Sequence, residues 1–156
     1  MIKFESPDLV MITLHPIGKS TEDNLAFLNH PECRMVLTAT MEYYTIIGFN
    51  PPWIGYFAKY NDEIVGSGGY KGKPVDNKIE IAYGTFPAYQ RKGIGTAICK
   101  ALVELAIEAD PGLIITARTL PENNYSTKIL QKNNFLLLGM IWDEDDGDVW
   151  EWEYQK

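Results

Sequence analysis

The chain has 156 residues, 46% of them hydrophobic, which fits one folded domain over residues 1–156 rather than a disordered segment. Its 21 Asp and Glu outnumber its 14 Lys and Arg, for a formal net charge of −7. A nucleic-acid binder needs a basic stripe to displace counterions from phosphates, so DNA and RNA are not expected partners.

In chain order, residues 1–7 lack the basic and apolar regions of a secretory leader. No stretch approaches the roughly 18 apolar residues that a membrane-spanning helix needs. Residues 10–17 read as a first strand, with Val10, Ile12 and Leu14 on alternate positions. Ser20, with Asp23 three residues on, resembles a helix N-cap, and Pro31 suits the first turn of a second helix. Gly48 and Pro51-Pro52 end that helix. Residues 53–60 and 63–70 flank Asn61-Asp62, a two-residue hairpin turn. Residues 78–86 read as a strand with Ile79, Ile81 and Tyr83 on one face, and Glu80, Ala82 and Gly84 on the other.

A helix is expected over residues 93–109, packing on a sheet through Ile94, Ala97, Ile98, Ala101, Leu102, Leu105, Ala106 and Ala109. Residues 113–117 form a short apolar run suited to a buried strand, followed by a helix over residues 124–133. Residues 135–142 and 148–154 then make a hairpin around Asp145-Asp146-Gly147. The order predicts an α/β (α+β) fold: a mixed, mostly antiparallel sheet of six to seven strands with helices on both faces. Cys33 and Cys99 fall in separate predicted helices and read as buried thiols of a reducing, cytoplasmic compartment, with no metal site.

The chemistry concentrates in residues 79–96, where a strand feeds a tight loop and the loop feeds a helix. The backbone N–H groups from Arg91 through Lys92, Gly93, Ile94 and Gly95 to Thr96 have no helical partner, and the helix dipole adds positive charge, so an anion such as a pyrophosphate is favoured there. Gly93 and Gly95 admit close backbone approach, and Arg91 and Lys92 add charge at the rim. A Gly-Lys-Ser/Thr P-loop is absent. The dinucleotide fingerprint fails at Ile98 and lacks an acidic residue near Arg118. Gln90, Gly93 and Gly95 do meet a third pattern, Gln/Arg-x-x-Gly-x-Gly/Ala.

That loop resembles motif A of the GNAT acetyltransferase family. A second match follows in residues 121–135, where Asn123, Ser126, Leu130, Lys132 and Phe135 fit and Asn134 replaces the usual Gly. Asn is the natural substitute for Gly at a left-handed helix C-cap. The ending, residues 147–152, resembles the ribosomal-protein-alanine (RimJ/RimL-like) branch. The resemblance covers roughly residues 53–154.

It implies an N-acetyltransferase in which an amine, on a small molecule or a protein N-terminus, attacks acetyl-CoA directly. Gln90 to Thr96, with Asn123 and Ser126, would hold the cofactor. A backbone N–H at Thr85 or Phe86 would bind the thioester oxygen. Glu80 would be the general base, the bland alternative being a strand carboxylate that faces solvent or forms an ion pair. Leu130 occupies the position where many relatives carry a thiolate-protonating Tyr. Tyr125 could substitute only on a rotated helix and is otherwise expected under the last hairpin. Tyr43, Tyr44 and Trp53 lie where the family's acceptor pocket forms, while His15 and His30 fall outside both motifs. The alternative is a GNAT-fold module that senses CoA without turnover. A homodimer is common for such domains, yet no exposed apolar stripe stands out in the sequence.

Overall fold

The computed structural model of the chain describes residues 10–156; the amino-terminal residues on which the absence of a leader was read lie outside them. Three α-helices and seven strands alternate: β1 (Thr13–Pro16), α1 (Pro31–Ile47), β2 (Gly55–Tyr60), β3 (Glu63–Tyr70), β4 (Lys78–Thr85), α2 (Ile94–Ala109), β5 (Ile114–Thr119), α3 (Tyr125–Lys132), β6 (Phe135–Asp143) and β7 (Gly147–Tyr154). The strands form one sheet in the order β1-β2-β3-β4-β5-β7-β6, antiparallel throughout except for β4 and β5. The expected mixed sheet is therefore present. No helix among the described residues is long and apolar enough to cross a membrane.

The helices cover opposite faces, and β3 shows why. Side chains alternate across a strand, so Gly66, Gly68 and Tyr70 face α2 while Ser67 and Gly69 face α1. A Cβ on Gly68 would lie 2.8 Å from Leu102 Cδ1, so its absence lets α2 pack close. The Tyr70 hydroxyl donates to the Leu102 carbonyl at 2.6 Å. On the other face the Tyr44 hydroxyl of α1 donates to the Ile17 carbonyl (2.8 Å) and accepts from the Gly55 N–H (2.9 Å). The buried side of α2 runs along Ile94, Ile98, Leu102, Val103 and Ala106, with Cys99 included. It is turned slightly from the expected stripe, because Ala109 is exposed and Ala101 and Leu105 are half-buried.

Local chemistry explains most boundaries. Asn61 (φ 51°) and Asp62 (φ 64°) supply the two positive-φ residues of the β2–β3 hairpin. Asn124 caps α3 reciprocally: its side chain accepts from the Thr127 N–H at 3.1 Å, and its own N–H donates to Thr127 Oγ1 at 2.9 Å. Asn134, just past the end of α3, adopts φ 65°, the left-handed conformation expected of a Gly substitute.

Two expectations fail. The first strand begins at Thr13 rather than Val10. Ser20 caps no N–H; its hydroxyl donates to Asp23 Oδ2 (2.9 Å), and Thr21–Phe27 is a 3₁₀ segment kinked at Asn24. Asn24 explains the kink, since its buried amide bonds Gly18 and the Ser20 carbonyl instead of leaving the backbone to propagate a helix.

Candidate functional site

Parallel strands β4 and β5 are in register from the pair Lys78–Ile114 to the pair Ile81–Ala117. Beyond it β4 stays with β3 to Thr85, and β5 stays with β7 to Thr119, so a wedge opens between them. The Phe86 N–H turns away from this wedge and donates to the Val65 carbonyl at 2.9 Å. Phe86 is thus no oxyanion donor, which corrects half of that expectation. Alternation along the strand turns the Thr85 peptide groups into the wedge, and the Thr85 carbonyl accepts from Gln90 Nε2 at 3.2 Å.

The wedge leads into the loop before α2. Arg91 (φ 64°) and Gly93 (φ 78°) are both left-handed, and this alternation around Lys92 curls successive N–H groups into a concavity. From Arg91 to Thr96 no backbone N–H finds an acceptor among the described residues; the first helical bond here is Ala97 N–H to Gly93 carbonyl, at 3.1 Å. A cavity of about 180 Å³ beside the loop is lined by Arg91, Gly93, Thr96, Lys128 and Lys132, so three cations flank the free donors. Lys92 does not line this cavity, and its Nζ lies over the Tyr89 ring, 6.0 Å from the centroid. Gly95 is buried, and a Cβ there would meet Ile129 Cδ1 at 2.6 Å, so a side chain at this position would press on α3 independently of any ligand.

A second cavity of about 180 Å³ continues from the first along Tyr125 and Ile129 into the wedge, past Thr85, Gln90 and Ser126. Asn123 is exposed and lines neither cavity; its neighbour Asn124 holds the helix start instead. Leu130 is fully buried and carries no donor. Tyr125 is 40% exposed and faces the groove, which overturns its expected place under the hairpin. Tyr83, which the motifs did not single out, lines both this groove and the cavity beyond. Its hydroxyl lies 3.4 Å from the Ser126 carbonyl, and burial raises its pKa, so the phenol stays protonated.

The third cavity, of about 380 Å³, opens on the α1 face, with Val36, Thr40 and Tyr43 on one side and Ser67, Lys71, Ala82 and Gly84 on the other. Tyr44 lines it while serving as a structural bridge, whereas Trp53 packs edge-on against Tyr70, 5.1 Å between centroids, and takes no part. Beside it Glu80 Oε2 lies 2.7 Å from Lys71 Nζ, and Glu80 Oε1 lies 3.6 Å from Arg118 Nε. Arg118 also contacts Asp143 Oδ2 (2.8 Å) and Glu151 (3.8 Å), so three carboxylates surround two cations. Glu80 therefore does stand in ion pairs. Asp143 also accepts from the Asp145 and Asp146 N–H groups, and these bonds, Arg118 foremost, lower its pKa to about 2. Asp146 and Arg118 line a fourth cavity, of about 360 Å³, at the end of β5. His15 bonds Thr13 and His30 stacks near Phe86, both away from the groove.

Residues 22–135, which carry the loop, the wedge and most of the cavity lining, match the model of the "Acetyltransferase (GNAT) family". The chain belongs to that family. It is similar to the "Uncharacterized N-acetyltransferase YjdG" of Bacillus subtilis (strain 168), 38% identical over 80 residues. That segment is 51% of this chain and 48% of the relative, about half of each. Among solved structures, AAC(6')-Ib in complex with ribostamycin and coenzyme A superposes with a TM-score of 0.68 at 20% identity, covering 93% of both chains. RimL, a ribosomal L7/L12 alpha-N-protein acetyltransferase, in complex with coenzyme A gives 0.65 at 15% identity, covering 91% and 92%. An acetyltransferase from Agrobacterium tumefaciens str. C58 gives 0.63 at 15%, covering 100% and 98%. At these identities the structures establish the fold.

Proposed function

We propose that the chain transfers the acetyl group of acetyl-CoA to a primary amine, in a ternary complex and by direct attack. The observation that carries this reading is the continuity of the site: free N–H groups at Arg91–Thr96, flanked by Arg91, Lys128 and Lys132, open through the β4–β5 wedge into the α1-face cavity. The cradle would take the pyrophosphate, the wedge the pantetheine arm, and the cavity the acceptor.

In this mechanism Glu80 accepts a proton from the acceptor ammonium, directly or through water, and the neutral amine attacks the thioester carbonyl carbon. The Thr85 N–H stabilises the developing oxyanion. As the C–S bond breaks, the departing thiolate takes a proton from the Tyr83 hydroxyl, which stands at the meeting of groove and cavity, and the proton lost by the attacking nitrogen returns through solvent to the phenolate.

The acceptor is a small-molecule amine or a protein N-terminus. The RimJ/RimL-like ending favours the N-terminus, whereas the fold likeness to AAC(6')-Ib, whose structure holds ribostamycin, favours the small molecule. The two buried free thiols, Cys33 and Cys99, suit a cytoplasmic setting. Incubation with acetyl-CoA and a panel of amines and amino-terminal peptides, following free CoA thiol, tests the reading. Amine-dependent CoA release is expected. Tight acetyl-CoA binding with no release for any acceptor would instead identify a CoA-sensing module, the reading that Leu130 in place of the family Tyr favours.

A further inference from the structure

Glycine in the interior of a strand weakens it, and the fold usually shows what the missing side chain makes room for. Gly68 and Gly69 leave space for Leu102 Cδ1 and the Ile54 carbonyl, which a Cβ would approach to 2.8 and 2.6 Å. Gly55 leaves space for Thr40 Cγ2, at 3.0 Å, and Gly139 adopts φ 143°. Gly84 has no such reason. A Cβ placed there would find no atom within 4 Å, and its φ lies outside the left-handed region. The β3–β4 register also runs unbroken past it, from the pair Tyr70–Ile81 to the pair Gly66–Thr85.

The empty place over Gly84 belongs to the site. Gly84 pairs with Ser67 on the α1 face, and it lines both the groove and the cavity of about 380 Å³. The next peptide carries the Thr85 N–H, which in the reading above binds the thioester oxygen. A thioester held there sends its acyl chain out of the wedge beside Gly84. Glu80 stands two places back on the same face, beyond Ala82, and the amine it deprotonates arrives from that side. The room over Gly84 therefore lies with the donor rather than with the acceptor. Among the residues lining the cavity Lys71 alone is charged, and Glu80 engages it at 2.7 Å, so an uncharged chain suits the space.

We propose that this room is an acyl pocket for an unbranched, uncharged chain longer than acetyl, so that the protein transfers propionyl groups from propionyl-CoA as well as acetyl groups. Gly84 sets the limit on length, because a Cβ at this position would occupy the room that the added methylene needs. The proposal rests on the acetyl-transfer reading and widens its donor. The step balances as before. The amine nitrogen bonds to the propionyl carbonyl carbon, and the C–S bond breaks with its electron pair on sulfur. Of the two protons that the ammonium loses, one ends on the CoA thiol and the other goes to solvent. The products are an N-propionyl amide and free CoA.

Propionyl-CoA and acetyl-CoA are compared with one acceptor by CoA release, and without acceptor by calorimetric titration. The wild-type kcat/KM for propionyl-CoA is expected within about tenfold of that for acetyl-CoA. Gly84→Ala should lower the propionyl-to-acetyl ratio by about 10- to 100-fold, the discrimination that one methylene gives in a closed pocket. The ratio of the two affinities should move in the same direction. Ser67→Val, across the ladder on the same face, narrows the room from β3 and should act alike if Gly84→Ala disturbs the strand. No CoA release from either donor would remove the transfer reading, and the affinity ratio then decides the pocket by itself. A wild type that favours acetyl-CoA by about 100-fold or more in both measurements, or a Gly84→Ala protein that loses both donors equally, would overturn the proposal.

Discussion

On the α2 side of the sheet, the cradle is built on peptide N–H groups from one contiguous loop, with the Lys128 and Lys132 side chains of α3 beside it. On the α1 side the working groups are side chains brought from α1, β3, β4, β5 and the β6–β7 hairpin. The first arrangement depends on backbone conformation, so few side-chain changes touch it, and those act through φ or steric approach. The second depends on charges balanced against each other, Glu80 with Lys71 and Arg118 with Asp143. If this division is right, cofactor affinity and acceptor chemistry should separate cleanly under mutation.

Glu80→Gln gives the largest expected effect. It keeps the shape but removes the base, so kcat should fall by about 100- to 10,000-fold while the Kd for acetyl-CoA holds. The deficit should shrink as pH rises and solvent supplies neutral amine. Full rate at neutral pH would reduce Glu80 to a partner of Lys71. Tyr83→Phe should lower kcat by about 100-fold, at the low end for acid catalysis because a thiolate leaves readily. Single-turnover acetyl transfer measures it, and an unchanged rate would assign the proton to water or to Tyr125.

On the cofactor side, Gly93→Val places a branched residue at φ 78° beside the free donors. Acetyl-CoA affinity should drop by about 1–3 kcal/mol, a factor of roughly 5 to 150, with the acceptor KM unaffected. Calorimetric titration reads this, and a parallel loss on the acceptor side would break the separation. Gly95 is the poorer probe, since α3 packing against Ile129 confounds it.

The smallest effect concerns the hairpin. The Asp143 carboxyl titrates at about 2 in the fold, below the ordinary value of about 3.9, so its stabilisation is complete above the latter and is lost as pH falls toward 2. Asp143→Asn should therefore be about 1–2 kcal/mol less stable near neutrality, with the gap closing across that acidic window in denaturant melts. A gap independent of pH would mean that shape, not charge, holds the hairpin.

The same division governs how much the sequence revealed. The loop from Gln90 to Thr96 was legible because its chemistry needs only a strand, two glycines and a helix start, all local. The Asn134 turn was legible for the same reason, whereas the reciprocal cap between Asn124 and Thr127 was not read from the sequence. Leu130, at the position where many relatives carry a Tyr, is fully buried in the core. The role of Tyr83 was hidden, since alternation placed it on the helix side without showing that a wedge opens beside it. Lys71 and Arg118 gave no signal, because their partners lie 9 to 38 positions away. Ser20 misled because Asn24, four residues on, captures its carbonyl. The exposed apolar side chains of β6, Leu136, Leu138, Met140 and Trp142, escaped notice because a buried strand and an uncovered one read alike in one dimension.

Within the sheet, four residue pairs, Lys78–Ile81 with Ile114–Ala117, make the ladder that joins the β1–β4 half to the β5–β7 half, beside the Glu80–Arg118 ion pair. Such a seam is a natural place for local opening, independent of global unfolding. A ligand that fills the wedge would bind the closed form and resist that opening by RT ln(1 + [L]/Kd), about 2.7 kcal/mol at a hundredfold excess over Kd. Amides along Ile79–Ala82 should exchange about 100-fold more slowly in the loaded protein, while those deep in β2 and β3 change little.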